Sequence, residues 1–176
     1  MDTSEYARFQ RPGHRVTGDR RSQDRQHRDG VDIVHAIIDD HSRLAYAEML
    51  RDEKATTAIG FLRRAIAFYR RHGIHVERVL ADNGSAYVSA RHALACKAFA
   101  IRHSRTRPYR PQTNGKAERF IRTLLDGWAY GAIYRSSTER TAALDGWLWY
   151  YNHRRRHSAL GRQPPVSRTN VLGSYS

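Results

Sequence analysis

The chain has 176 residues, with 31 Lys and Arg against 17 Asp and Glu, a formal charge of +14. Forty per cent hydrophobic residues, including 10 Tyr, 5 Phe and 3 Trp, suffice for a packed core and exclude a wholly disordered chain. No apolar run approaches membrane-spanning length, and the single cysteine, Cys96, excludes a disulfide framework. Cys96 reads as a small buried helix residue, and Met1-Asp2-Thr3-Ser4-Glu5 does not read as a signal peptide. A cytoplasmic protein with no membrane partner is expected. Twenty-eight of the 31 basic residues are arginine, whose planar fork suits bidentate phosphate contact. A GC-rich coding bias would explain arginine over lysine, but not the positive excess, which points to nucleic acid as partner.

In chain order, 11–30 is polar, basic and rich in Gly and His, a loop or loose hairpin. Ile33-Val34-His35-Ala36-Ile37-Ile38 has a buried-strand pattern. Asp39-Asp40-His41-Ser42 is a turn, and 44–50 resumes as a strand, giving an antiparallel hairpin. Ala58, Phe61, Leu62, Ala65, Ile66 and Tyr69 predict a helix over 55–72, with Gly73 as its stop. A short strand over 76–81 ends at Asp82. Ser89 caps a helix running through Phe99, and another strand spans 101–106. A proline-punctuated loop over 107–114 comes next. Asn114 caps a helix with Ala117, Ile121, Leu124, Leu125 and Trp128 on its apolar side. A last helix spans 137–151, before a basic, proline-containing tail over 152–176. A hairpin followed by alternating strands and helices implies a mixed sheet covered by helices.

Two carboxylates stand out, with 35 residues between them. Asp82 ends a strand in Ala81-Asp82-Asn83-Gly84-Ser85-Ala86-Tyr87. Glu118 lies in the first turn of a helix, in Pro111-Gln112-Thr113-Asn114-Gly115-Lys116-Ala117-Glu118-Arg119. Taken alone, Asp-Asn-Gly is a tight turn, and Glu118 is a carboxylate favoured by the helix dipole. Taken together in so basic a chain, they are oxygen ligands of the kind magnesium prefers and point to phosphodiester chemistry. Lys116, Arg119 and Arg122 beside Glu118 are candidate phosphate contacts, with a solvated helix face as the bland alternative. Tyr109 is placed to stack on a base or to anchor its loop. Arg154, Arg155 and Arg156 read as a phosphate-binding tail or a solvated charge run. His75 and His103 read as ordinary residues, and no zinc-ligand spacing is present.

Asp82-Asn83-Gly84-Ser85 with Tyr87, then Pro111, Asn114-Gly115-Lys116-Ala117-Glu118-Arg119-Phe120, resembles the catalytic core of the DDE superfamily of transposases and retroviral integrases. It looks most like insertion-sequence transposases of the IS481 and IS3 groups. The turn Ile38-Asp39-Asp40-His41-Ser42-Arg43, and Tyr151-Asn152 with His157, Leu160 and Pro164, extend the likeness over nearly the whole chain. The resemblance implies an RNase H-like α/β fold, a mixed sheet flanked by helices. It implies domain limits of 1–30 for a truncated first-strand end and basic loop, 31–151 for the integrase-like core and 152–176 for the tail. It also implies a third carboxylate. Asp39 and Asp40 are candidates by spacing, but in the family that position is a strand-end turn, and Asp2 is the better match. Only Met1 precedes Asp2, so the strand that should carry it is expected to be missing.

By resemblance, Asp2, Asp82 and Glu118 hold two magnesium or manganese ions for DNA strand cleavage and transfer. The implied partners are element ends, target DNA and further copies of the chain, at the bacterial nucleoid. Two other functions remain: a catalytically inactive remnant that only binds DNA, and an RNase H-type nuclease.

Overall fold

The computed structural model describes residues 1–11, 30–106 and 115–169. Most of the basic loop over 11–30, the loop over 107–114 with Tyr109 and Asn114, and the last seven residues of the tail lie outside the described residues.

Strands β1 (Asp2–Ala7), β2 (Val31–Ile38) and β3 (Ala45–Leu50) form an antiparallel sheet in that order. Asp2 pairs with Ala36 and Ala7 with Val31. The expectation that Asp2 lacks its strand is therefore corrected: Asp2 is the first residue of a six-residue strand that continues through Ala7. The sequence hid this strand because Asp-Thr-Ser-Glu-Tyr-Ala is mostly polar, and only Tyr6 within it is buried. Strands β4 (Arg78–Ala81) and β5 (Arg102–Arg105) form a separate parallel pair. The two ladders touch where Met1 N donates to Leu80 O at 2.6 Å, which lays β4 beside β1.

Alternation along β2 sends its side chains to two cores. Ile37 packs with helix α1 (Ala55–Arg71), Val79, Ala81 and Cys96, and His35 faces Phe61 of that helix. Val34 and Ala36, with Ala45 and Ala47, pack on the other side beneath Phe120, Leu124 and Trp128. The small alanines let that second layer approach closely. Helix α1 buries Ala58, Phe61, Leu62, Ala65 and Tyr69, the predicted stripe. It ends in a Schellman turn, with Ile74 N bonded to Tyr69 O and Gly73 at φ +70°.

Beyond β4 come a single turn, α2 (Ser85–Val88), and helix α3 (Ala90–Ala98), whose His92 N donates to the Ser89 side chain as a proper cap. Helix α4 (Gly115–Leu124) runs into a π-helical turn, Leu125–Ala129. The single helix expected over 137–151 is two, α5 (Ser137–Ala142) and α6 (Leu144–His153), which meet at Ala143. Asn152, expected to begin the tail, is instead buried near the end of α6. Its amide accepts from Ala45 N and donates to Ala45 O at 2.9 and 2.8 Å, capping the free edge of β3 like one residue of an additional strand. Leu160 and Pro165 are buried beyond it, each within a short 3-10 turn.

Candidate active site

Each of the three carboxylates is delivered by a different element. Asp2 opens β1, Asp82 comes directly after the last residue of β4, and Glu118 lies in the first turn of α4. Asp82 is positioned by its own loop. Its Oδ1 accepts from Gly84 N at 3.0 Å, and Asn83 Nδ2 donates to Thr106 O at 3.1 Å, tying the ends of β4 and β5 together. A Cβ at Gly84 would stand 3.0 Å from Asp82 Oδ1, so glycine leaves the carboxylate its place.

Asp2 is half-buried, and Thr3 N donates to its Oδ1 at 2.9 Å. Its pKa is raised above the ordinary carboxylate range, first by burial, then by the charge of Asp82 and last by that of Glu118, with the Thr3 N–H pulling the other way. Asp2 thus feels the charge of both other carboxylates, that of Asp82 more than that of Glu118. Tyr87 is buried behind them. Its pKa is pushed up by burial and then by Asp82 and Asp2, and its hydroxyl has no hydrogen-bond partner. The fold family implies a divalent metal, and this donor set fits one in chemistry, although the structure does not draw the three carboxylates into one tight ligand cluster. The ligands are all oxygen, and the mutual repulsion felt by Asp2 is what a hard cation relieves. Asp39 is committed elsewhere, accepting from both N and Oγ of Ser42 at 2.7 Å in the hairpin turn.

The other candidate residues are spread over the surface. Arg119 and Arg122 are exposed on α4. Lys116 is ion-paired with Asp40, an exposed pair that sequence spacing does not announce. Arg154, Arg155 and Arg156 are exposed past α6, and the Arg154 guanidinium lies 5.6 Å from the Trp149 ring centroid.

One buried cation is not marked in the sequence. Arg140, 1% exposed, donates to Asp32 Oδ2 and Ala7 O, both at 3.0 Å. It packs on the rings of Tyr6, Phe9 and Trp128. It fastens the end of β1 to α5, helped by Phe9 N donating to Ser137 Oγ and Ser137 N to Phe9 O. In so basic a chain nothing local sets Arg140 apart. The informative residue is Asp32, an acid inside a buried strand.

Residues 9–111 match the family described as integrase core domain, and residues 100–165 match a second family of the same description. The chain belongs to the integrase core domain family. It is thereby a member of the DDE transposase and integrase superfamily, whose enzymes are polynucleotidyl transferases. A putative integrase, ORF3 of Spiroplasma virus SpV1-C74, is 26% identical over 79% of this chain and 42% of its own length. An uncharacterized protein of insertion element IS136 from Agrobacterium fabrum is 31% identical over 56% of the chain and 50% of its own length. The chain thus spans half or less of these relatives.

Among solved structures, the catalytic core domain of BIV integrase superposes with a TM-score of 0.60 at 24% identity, over 77% of this chain and 84% of that one. The HTLV-2 integrase catalytic core in complex with magnesium gives 0.58 at 20%, over 78% and 84%. At such identities the likeness shows the fold, which is the RNase H-like integrase core. No described helix of this integrase core is long and apolar enough to cross a membrane.

Proposed function

We propose that this integrase core cleaves DNA and transfers the cut strand, as a transposase acting at the bacterial nucleoid. Asp2, Asp82 and Glu118 would hold two magnesium or manganese ions. The observation that carries the reading is the placement of the acids: Met1 N donates to Leu80 O, which sets Asp2 at the start of β1 beside the end of β4 where Asp82 follows, and Glu118 stands in the first turn of α4. Bound there, the ions would supply a nucleophile at neutral pH and stabilise the leaving oxygen.

The rest of the chemistry belongs to the chain. Gly84 N fixes one oxygen of Asp82, and Asn83 keeps the ends of β4 and β5 from parting. Arg119 and Arg122, with Lys116 once released from Asp40, bind phosphates beside Glu118 and set the register of the DNA. Tyr109 stacks on a base. Arg154, Arg155 and Arg156 hold a more distant stretch of backbone, and the partners are element ends, target DNA and further copies of the chain.

The test is manganese titration by calorimetry, combined with strand transfer on oligonucleotides carrying the element's ends. The expected result is saturable binding and transfer products, both lost in Asp82→Asn and Glu118→Gln. Binding of DNA with no manganese binding by the folded chain would select a remnant that only holds DNA. Nicked products with no joined strands would select a nuclease.

A further inference from the structure

Three side chains with no part in that chemistry meet on the far side of Tyr87. His92 and Cys96 stand one turn apart on α3, and His103 reaches them from β5. Their ligand atoms lie within 4.8 Å of one another, the one such grouping of His, Cys, Asp and Glu among the described residues. Cys96 Sγ is 3.7 Å from His92 Nδ1, and the two imidazole centroids are 4.8 Å apart at 61°. His92 and Cys96 are 0% and 1% exposed, while His103 is half-buried and leaves a way in.

Nε2 of His92 and Nε2 of His103 are both buried without a hydrogen-bond partner. An unpartnered buried polar atom costs about 1–3 kcal/mol; a metal held by His92 Nδ1, Cys96 Sγ and His103 Nε2 would give the His103 nitrogen its partner, while His92 Nε2 keeps the ring's proton. Two imidazoles and a thiol form a borderline-to-soft donor set, poor for magnesium and well suited to zinc. Zinc bonds of about 2.0–2.3 Å in a tetrahedron place ligand atoms roughly 3.3–3.8 Å apart, and the His92–Cys96 separation already lies in that range. The i, i+4 spacing puts both helix ligands on one face. The third ligand lies in another element, so spacing along the chain could not disclose the set.

We propose that His92, Cys96 and His103 form a zinc site that clamps α3 to β5, with a fourth position left for water. Burial favours the neutral form of both imidazoles, which is the form with a lone pair to give. The Cys96 thiol gives up its proton to solvent as the sulfur–zinc bond forms. The clamp braces the floor of the carboxylate site, since the His92 ring lies 5.4 Å from that of Tyr87.

Cobalt(II) titration of the metal-free full chain tests this through the thiolate-to-cobalt charge-transfer band, with circular dichroism checking that each variant is folded. One thiolate-bound cobalt per chain is expected, displaced by zinc. The band should vanish in Cys96→Ser and in His103→Gln and persist in Asp82→Asn, which separates this site from the carboxylates. If Cys96→Ser does not fold, His103→Gln decides alone, because that side chain reaches the surface. A folded wild-type chain without the band overturns the proposal, as does a band that survives either ligand substitution.

Discussion

At Asp2, burial and two neighbouring carboxylates all push the carboxyl pKa upward. The folded state therefore holds this proton more tightly than the unfolded chain does. Stability falls as pH rises from the ordinary carboxylate range through the raised value. Asp2→Asn removes that penalty, so scanning calorimetry at neutral pH should show a higher melting midpoint for the metal-free variant. The further rise that manganese gives the wild type should be absent. A second residue carries backbone strain. Ala100 closes α3 at φ +56°, with Ile101 N bonded to Cys96 O, in a conformation that costs a side-chain-bearing residue about 1–2 kcal/mol. Ala100→Gly should stabilise the chain by about 1 kcal/mol in urea unfolding. The two residues differ in how they could be found. Asp2 was reachable only through resemblance, since no local pattern surrounds it, and the strain at Ala100 was hidden because alanine does not advertise a left-handed turn.

Among the elements, those with a strong period were legible. Helix α1, the β2–β3 hairpin and α3 with its Ser89 cap match the residue pattern closely. Strand β1 was not legible, because a mostly polar segment becomes a strand only when β2 pairs with it. The break between α5 and α6 was missed for a similar reason. Leu144, Trp147, Leu148 and Tyr151 keep helical spacing within α6, but that spacing does not say where the helix begins. What holds these two misread regions together is Arg140. Replacing it leaves Asp32 buried with only the half-exposed Arg8 as counter-ion, at 2.9 Å. Breaking a buried pair in this way costs about 3–5 kcal/mol. Arg140→Met should therefore lower unfolding stability by about 3 kcal/mol. Asp32→Asn combined with Arg140→Met should recover part of that loss, as a double-mutant cycle in urea would measure.

For the molecule as a whole, pH acts through buried imidazoles. His35, His92, His103 and His157 all have lowered pKa values, with burial the leading cause in each. A histidine with a folded pKa below about 6.5 stabilises the fold above that pH, and the contribution is lost as pH falls through the folded value. Unfolding midpoints should thus decline between roughly pH 6.5 and 4. His92→Leu should flatten the decline, at whatever cost to overall stability. The contacts of Arg140 also bear on the order in which the fold closes. Its bond to Ala7 O joins residues 133 apart in sequence. The strand bearing Asp2 leaves the ribosome long before the residue that anchors it, by about ten seconds at ordinary synthesis rates. A nascent chain already contains all three acids once α4 has emerged, with β1 able to pair with β2 but its far end not yet fastened to α5. The far end of the first strand is thereby secured only after the elements bearing Asp2, Asp82 and Glu118 have all been made, so its locking belongs to a late step of folding.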